Sequence, residues 1–319
     1  MYKSILRAEE KEISAALLRE VEALEPAARP LARHVIEAGG KRIRPLLTVL
    51  MGKALGCGDP LLYALAAGIE LLHGATLMHD DVLDVAETRR GAPAAHTVFG
   101  AGRAILAGDV LLAACMRIML RSRKFDIIDS VALAAAQTAA GEVEEMDNLR
   151  NVRLDFDGYM RIIIGKTARL VSCACEIGAM LAGAAAERIG DAAAFGLELG
   201  IAFQLVDDAL DVAPESVTGK PVGGDLREGK FTLLAQFYLE GLPQTERGHF
   251  LRGFSQGSFS EAELRELVSR MRACGCAERL RALAGEHLLK AGRHLERLPA
   301  GREKDTLGFL LNYIKERDH

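Results

Sequence analysis

The sequence predicts an all-α protein folded as one large helical bundle around a central cavity. Three observations predict it. Apolar residues recur at three- and four-residue intervals from end to end, and Ala, Leu, Glu and Arg are abundant. No run of alternating Val, Ile and Thr bounded by turn residues suggests a sheet. Several helical patterns between 60 and 212 exceed twenty residues and are apolar around most of their circumference, and such helices are usually surrounded by other helices. One domain over residues 1–319 is therefore expected rather than two.

The elements follow in chain order. Spacing predicts helices over about 5–22, 28–38, 45–56, 60–84, 101–121, 125–149, 156–181, 184–212, 230–240, 245–254, 259–273, 276–297 and 302–317. Pro45, Pro60 and Pro243 suit early helix positions, and Ser260 with Glu263 has capping-box spacing. Two polar segments break the pattern. Ala86–Phe99 is a basic loop, and Pro214–Gly229, rich in Gly and Pro, reads as a mobile surface segment.

Composition excludes several classes. Lys plus Arg total 40 against 44 Asp plus Glu, a formal charge of -4, so nothing global favours nucleic acid or an anionic membrane as partner. Any polyanion must be met by a local cluster of cations. The charged, amphipathic N-terminus does not read as a signal peptide. No stretch reaches the roughly eighteen uninterrupted apolar residues of a spanning helix, since Asp109, Lys166 and Arg169 break the longest candidates. A cytoplasmic location is expected. Six cysteines, two pairs of them spaced C-x-C, lack a disulfide framework or nearby zinc ligands and read as small buried hydrophobes.

Two features stand out. Asp80-Asp81-Val82-Leu83-Asp84 and Asp207-Asp208-Ala209-Leu210-Asp211 each place carboxylates at i, i+1 and i+4 at the end of an apolar helical pattern. On a helix these concentrate three negative charges within about one turn, near a C-terminus whose dipole is already negative. A hard divalent cation such as Mg²⁺ compensates such a cluster and commonly bridges it to phosphate oxygens. One such triplet could be a solvated acidic face; two, each followed by a basic glycine-containing loop, point to metal binding. Neither has the layout of a calcium-binding EF-hand loop.

Cations answer the acids. Gly39-Gly40-Lys41-Arg42-Ile43-Arg44-Pro45 precedes a helix, Arg89-Arg90-Gly91 follows the first triplet, and Lys220 and Lys230 bracket the second loop. Lys166-Thr167 interrupts an apolar helix, where an unpaired charge is costly. His73 lies seven residues before Asp80, almost two turns, so it shares a side with Asp80 and Asp84; His79 points elsewhere.

In order, GGKRIRP, ELLHGATLMHDDVLDVAETRRG, GKT, FQLVDDALD and GKPVGGDLREGKFTLL closely resemble the trans-prenyl diphosphate synthases over about residues 35–235, with a family-like tail at Tyr313–Asp318. The resemblance implies an isoprenoid-synthase-type all-α fold around a deep cavity, usually as a homodimer. It implies three Mg²⁺ ions bridged by Asp80, Asp84 and Asp207, with help from Asp81, Asp208 and Asp211, holding an allylic diphosphate. Lys41, Arg44, His73 and Arg90 would bind isopentenyl diphosphate. Arg89, Lys166, Lys220 and Lys230 would bind the allylic diphosphate, and Thr167 and Gln204 would complete the reaction-side wall. Two positions depart from the family pattern: Leu234, where Pro is common, and Glu145, where long-chain relatives often have Gln.

This chemistry needs no visible nucleophile or conventional base. Diphosphate leaves, isopentenyl diphosphate attacks the allylic cation, and proton loss regenerates an alkene that can react again. A water-free cavity and a lid are required, and Pro214–Gly229 is the expected lid. Ala75 and Thr76, about 6–8 Å upstream of Asp80 along the axis, are small where short-product relatives tend to be aromatic, which favours products of twenty carbons or more. The rivals are a geranylgeranyl or farnesyl diphosphate synthase, a class I terpene cyclase, and an inactive regulatory subunit of a heteromeric synthase. A cyclase normally carries one aspartate motif and needs no isopentenyl site, and inactive subunits usually lose aspartates that are all present here.

Overall fold

The structure, a computed structural model, describes residues 2–214 and 222–316. The lysine at position 220, with residues 215–221 of the expected lid, and the end of the family-like tail lie outside the described residues. The chain is all-α: α1 (Tyr2–Glu22), α2 (Arg29–Glu37), α3 (Ile43–Ala54), α4 (Leu61–Leu83), α5 (Ala95–Phe99), α6 (Ala101–Leu120), α7 (Phe125–Asp147), α8 (Phe156–Ile163), α9 (Arg169–Leu181), α10 (Ala186–Leu210), α11 (Gly224–Glu228), α12 (Leu233–Gly241), α13 (Gln244–Gln256), α14 (Glu261–Ala273), α15 (Cys276–Glu296) and α16 (Arg302–Lys315). The periodicity located nearly every one of these to within a few residues. Contacts cluster in two compact units, residues 1–136, 170–196 and 294–309, and residues 137–169, 197–293 and 310–319.

In the first unit α4 is the core helix, packed by α1, α3 and α6. Every residue from Ala64 to Leu72 is buried, as an all-round apolar helix requires. Glycines let backbones close in. A Cβ on Gly178 would stand 2.4 Å from the Thr48 carbonyl oxygen, so α9 lies directly against α3. The core of the second unit joins Val212, Leu226, Phe231, Leu234, Tyr238, Phe250, Phe254, Leu264, Val268 and Met271. Leu234, one of the departures, is simply a core residue there. The Ser260–Glu263 capping box forms as expected and starts α14.

Several features differ from the expectation: the short helix α5 lies within the basic loop and α11 within the segment expected to be mobile. The basic loop holds a two-stranded hairpin, β1 (Thr88–Arg89) with β2 (Ala92–Pro93). Its turn residues Arg90 and Gly91 both have positive φ, 53° and 78°, as a two-residue turn matching strand twist demands. The helix expected over 156–181 is broken by a π-helical turn at Ile164–Ala168, between α8 and α9. α4 and α10 are long and apolar enough to cross a membrane by length and composition, but 72% and 56% of their apolar windows are buried within the protein. They are core helices.

Candidate active site

In the first unit, α4 ends in the first aspartate triplet, with Asp84 as its C-cap. The half-buried stripe of α4 begins at His73 and continues through Thr76, Leu77 and Asp80 to exposed Asp84, while Gly74, Ala75, Met78 and Asp81 are buried. The phase expected for His73, Asp80 and Asp84 is therefore real. Asp81, 3% exposed, turns inward and accepts a hydrogen bond from Arg89 Nε at 2.7 Å. Asp81 and Arg89 are thus committed to each other, and the pair ties the hairpin to α4. His79 Nε2 lies 3.0 Å from the Ile105 carbonyl oxygen over Gly108, a packing contact with α6.

Beside that stripe is an arginine cluster. Arg42 is the N-cap of α3 in a left-handed conformation, and Arg90 donates to the Gly39 carbonyl. A Cβ on Gly40 would stand 2.5 Å from the Arg90 guanidinium carbon, which is why two glycines precede the basic run. Arg44 Nη1 donates to His73 Nε2 at 3.2 Å. Burial, then Arg44 and Arg90, hold the His73 pKa well below the usual imidazole value, so His73 is neutral and accepts. Burial also lowers Arg44, to about 10, against the opposing effect of Glu70. Two buried donors, Arg42 Nη1 and Arg44 Nε, have no hydrogen-bond partner, and among the described residues no carboxylate is ion-paired to either arginine. Orphaned buried guanidinium N–H groups are costly and match an anion.

In the second unit, α10 ends in the second triplet. Asp207 is exposed and Asp208 buried. Asp208 accepts from Tyr159 OH at 2.5 Å and Gln204 Nε2 at 2.8 Å, and Thr167 Oγ1 donates to Gln204 Oε1 at 2.8 Å. Asp211 Oδ1 accepts the Gly224 backbone N–H at 2.8 Å, which seats α11 and the half-buried Asp225. Burial, then the Asp211 and Asp208 charges, push Asp225 well above the carboxylate range. Burial likewise raises Asp208 and Asp211. Asp211 Oδ2 is buried without a hydrogen-bond partner.

Lys166 and Thr167 sit on the π turn, a form often found at functional sites. α7 crosses it closely, for a Cβ on Gly141 would lie 2.4 Å from the Lys166 backbone nitrogen. That approach brings Glu142 and Glu145 to Lys166 Nζ at 2.8 and 2.5 Å. Lys230, after α11, reaches Glu228 at 2.6 Å and Glu145 at 3.5 Å.

A model of the polyprenyl synthetase family matches residues 25–271. The chain belongs to the polyprenyl synthetase family. It is 34% identical over 308 residues to the octaprenyl diphosphate synthase of Escherichia coli, covering 96% of this chain and 95% of that protein. It is 35% identical over 294 residues to the short chain isoprenyl diphosphate synthase of Methanothermobacter thermautotrophicus, covering 90% of each. Among solved structures, the polyprenyl synthase of Caulobacter crescentus CB15, complexed with calcium and isoprenyl diphosphate, superimposes with a TM-score of 0.94 at 32% identity, covering 100% of this chain and 98% of that one. The all-α fold is thus that of the polyprenyl synthases, and the chain is a prenyltransferase of the isoprenyl diphosphate type.

Among the described residues no three His, Cys, Asp or Glu groups already surround a common point as a cation cage. The donor set nevertheless fits a hard divalent cation. Asp208 is buried and Asp211 and Asp225 half-buried, all three are shifted toward the neutral acid, and one carboxylate oxygen of Asp211 lacks a partner. A cation offsets each of these penalties. Sequence reasoning missed Asp225, Tyr159 and Glu70, which touch or face the site residues. Asp225 had a signal, an acid between two glycines and a basic residue in the glycine-rich segment that follows the second triplet. Tyr159 lies in an ordinary amphipathic helical position and had none, whereas Glu70 is a charge inside the buried stretch of α4 and carried the same signal as Lys166.

Proposed function

We propose that this polyprenyl synthetase extends an allylic diphosphate with isopentenyl diphosphate to products of twenty carbons or more. The observation that carries the reading is the orphaned pair of buried donors, Arg42 Nη1 and Arg44 Nε, beside neutral His73. They supply an anion site that uses no acidic motif, which a synthase needs for its second substrate and a terpene cyclase does not.

Lys41, Arg44, His73 and Arg90 bind isopentenyl diphosphate in this reading. Asp80, Asp84 and Asp207, with help from Asp81, Asp208 and Asp211, would hold Mg²⁺, three ions in all, and the bound metal would supply positive charge to offset the negative charge of the departing allylic diphosphate. Asp81 and Asp208 act through the hydrogen bonds they accept, keeping Arg89 and Gln204 in place. Arg89, Lys166, Lys220 and Lys230 hold the diphosphate, while Thr167 and Gln204 wall the reacting carbons. The isopentenyl double bond attacks the allylic cation left by the departing diphosphate, and the proton then lost passes to that diphosphate, which restores an alkene.

Product length is argued from α4. Ala75 is buried in packing, but Thr76 is half-buried on the Asp80 stripe and turns its hydroxyl back to the His73 carbonyl, so a growing chain meets no bulk there. The whole chain acts as one prenyltransferase domain in the cytoplasm, as a homodimer. Support for the dimer comes from α7, whose exposed positions Ala132, Leu133, Ala136, Ala139, Ala140 and Val143 carry no charge.

Extension of dimethylallyl or farnesyl diphosphate with labelled isopentenyl diphosphate, followed by product sizing, tests the reading. A ladder reaching twenty carbons or beyond is expected, and a fifteen-carbon end point overturns the length assignment. Asp80→Ala and Asp207→Ala are each expected to lower kcat by about 10²–10³-fold, the scale of losing one electrostatic stabiliser. Parental rates in either variant, or full activity after magnesium is chelated, would defeat the proposed role of the acids.

A further inference from the structure

Glu145 bridges the two lysines assigned to the allylic diphosphate. Its Oε2 lies 2.5 Å from Lys166 Nζ and 3.5 Å from Lys230 Nζ. Glu142 reaches Lys166 and Glu228 reaches Lys230; among the described residues Glu145 alone is ion-paired to both. The trio is largely withdrawn from water, with side-chain exposures of 18% for Glu145, 24% for Lys166 and 18% for Lys230, whereas Glu228 is 51% exposed. Burial by itself would lower both lysine pKa values, yet Glu145, the strongest opposing influence on each, leaves both raised. The lysines are firmly ammonium.

The local charge count matters. Two lysines against Glu142, Glu145 and Glu228 sum to +2 - 3 = -1. A diphosphate arriving at that pair meets a carboxylate already seated between its two cations. Like charges at this range and burial repel strongly. For the diphosphate to bind, Glu145 must give up at least one lysine. We propose that Glu145 is an affinity-setting residue for the allylic diphosphate, an internal anion that occupies the Lys166–Lys230 pair when the site is empty and yields to the pyrophosphate group when it fills. This rests on the reading of those lysines as diphosphate ligands. Glu145 acts through the lysines and is a positioning residue. It holds two long, flexible side chains at one point, and it weakens the bound diphosphate enough for release.

Glutamine keeps the length and one acceptor oxygen of Glu145 but removes its charge. The test is calorimetric titration of inorganic pyrophosphate, with Mg²⁺, into the full-length protein and its Glu145→Gln, Glu142→Gln, Lys166→Ala and Lys230→Ala variants, each checked for an unchanged melting profile. Glu145→Gln should bind pyrophosphate about tenfold more tightly, and its KM for the allylic diphosphate should fall in parallel; a tenfold change corresponds to about 1.4 kcal/mol. KM for isopentenyl diphosphate should stay within about twofold, roughly 0.4 kcal/mol. Glu142→Gln, which relieves one lysine only, should tighten binding less. Unchanged or weaker pyrophosphate binding in Glu145→Gln overturns the inference, as does an equal effect of Glu142→Gln. If the lysine variants bind pyrophosphate as the parent does, the assignment of the lysines falls, and this inference with it. Loss of binding in the lysine variants without tightening in Glu145→Gln removes the inference alone.

Discussion

Asp208 has lost its water and gained Asp207 and Asp211 as neighbours, and burial is the largest influence raising its pKa, from an ordinary 3.8 to about 7. The bonds it accepts from Tyr159 and Gln204 oppose the shift without cancelling it. The consequence for stability has a definite sign. A carboxyl group held above its unfolded value favours the fold while both states are protonated, below about pH 4. That contribution is lost as pH rises through about 7. Asp211, raised to about 6 chiefly by burial, adds in the same direction. Metal-free protein should therefore melt at a lower temperature at pH 8 than at pH 5.5, and Mg²⁺ with pyrophosphate should remove most of the difference. In Asp208→Asn the dependence should be visibly shallower. Melting curves across pH for parent and variant decide it: parallel slopes would mean that the buried acids are neutralised by something other than proton or metal.

At the scale of elements, the glycine contact between α7 and the π turn converts helix packing into a lysine site. An alanine in place of a helical glycine ordinarily stabilises by about 1 kcal/mol. At Gly141 the added Cβ would stand 2.4 Å from the Lys166 nitrogen and 2.8 Å from the Gly165 carbonyl carbon, both backbone atoms that cannot rotate away. Overpacking of this kind costs about 1–3 kcal/mol, so the sign reverses. Gly141→Ala should lower the melting temperature and raise KM for the allylic diphosphate more than for isopentenyl diphosphate. An equal rise in both would show that the crossing does not position Lys166. This crossing also marks where sequence reading stopped. The two aspartate triplets, the arginine run and His73 were legible because each is a charge placed at a helix end or on an apolar face, a local anomaly with one physical remedy. The ion pairs of Lys166 with Glu142 and Glu145 join residues more than twenty positions apart, and no local pattern encodes them. The hairpin at Thr88–Pro93 escaped because its strands are two residues long, too short for any alternation, and its turn is Arg-Gly where Asn-Gly would have given the usual signal. The π turn escaped because one extra residue leaves a 3.6-residue period almost unchanged over so short a span.

For the whole molecule the open issue is what covers its apolar faces. On α7 the outward positions from Ala132 through Val143 form a run without a charged side chain, and Leu133 is 54% exposed. On α6, Ile105 and Leu106 are 42% and 65% exposed, on a helix whose opposite face is already packed. Helical faces left apolar over several turns are normally covered by a partner. A second copy of the same chain is the simplest cover, because one symmetric patch then buries itself. A specific dimer removes on the order of 800 Å² from each partner, and the alanine-rich run on α7 allows the close approach that such a helix pair needs. Light scattering of the parent should therefore give twice the 34.4 kDa chain mass. Leu133→Glu, which would bury one carboxylate from each copy within that face, should shift the protein to the chain mass at micromolar concentration and lower its melting temperature. Its helical content should be unchanged, since the position is exposed within the monomer and glutamate is a good helix former. A parent that runs at the single-chain mass, or a Leu133→Glu variant that remains dimeric, would move the interface off α7 and leave the exposed alanines without a cover.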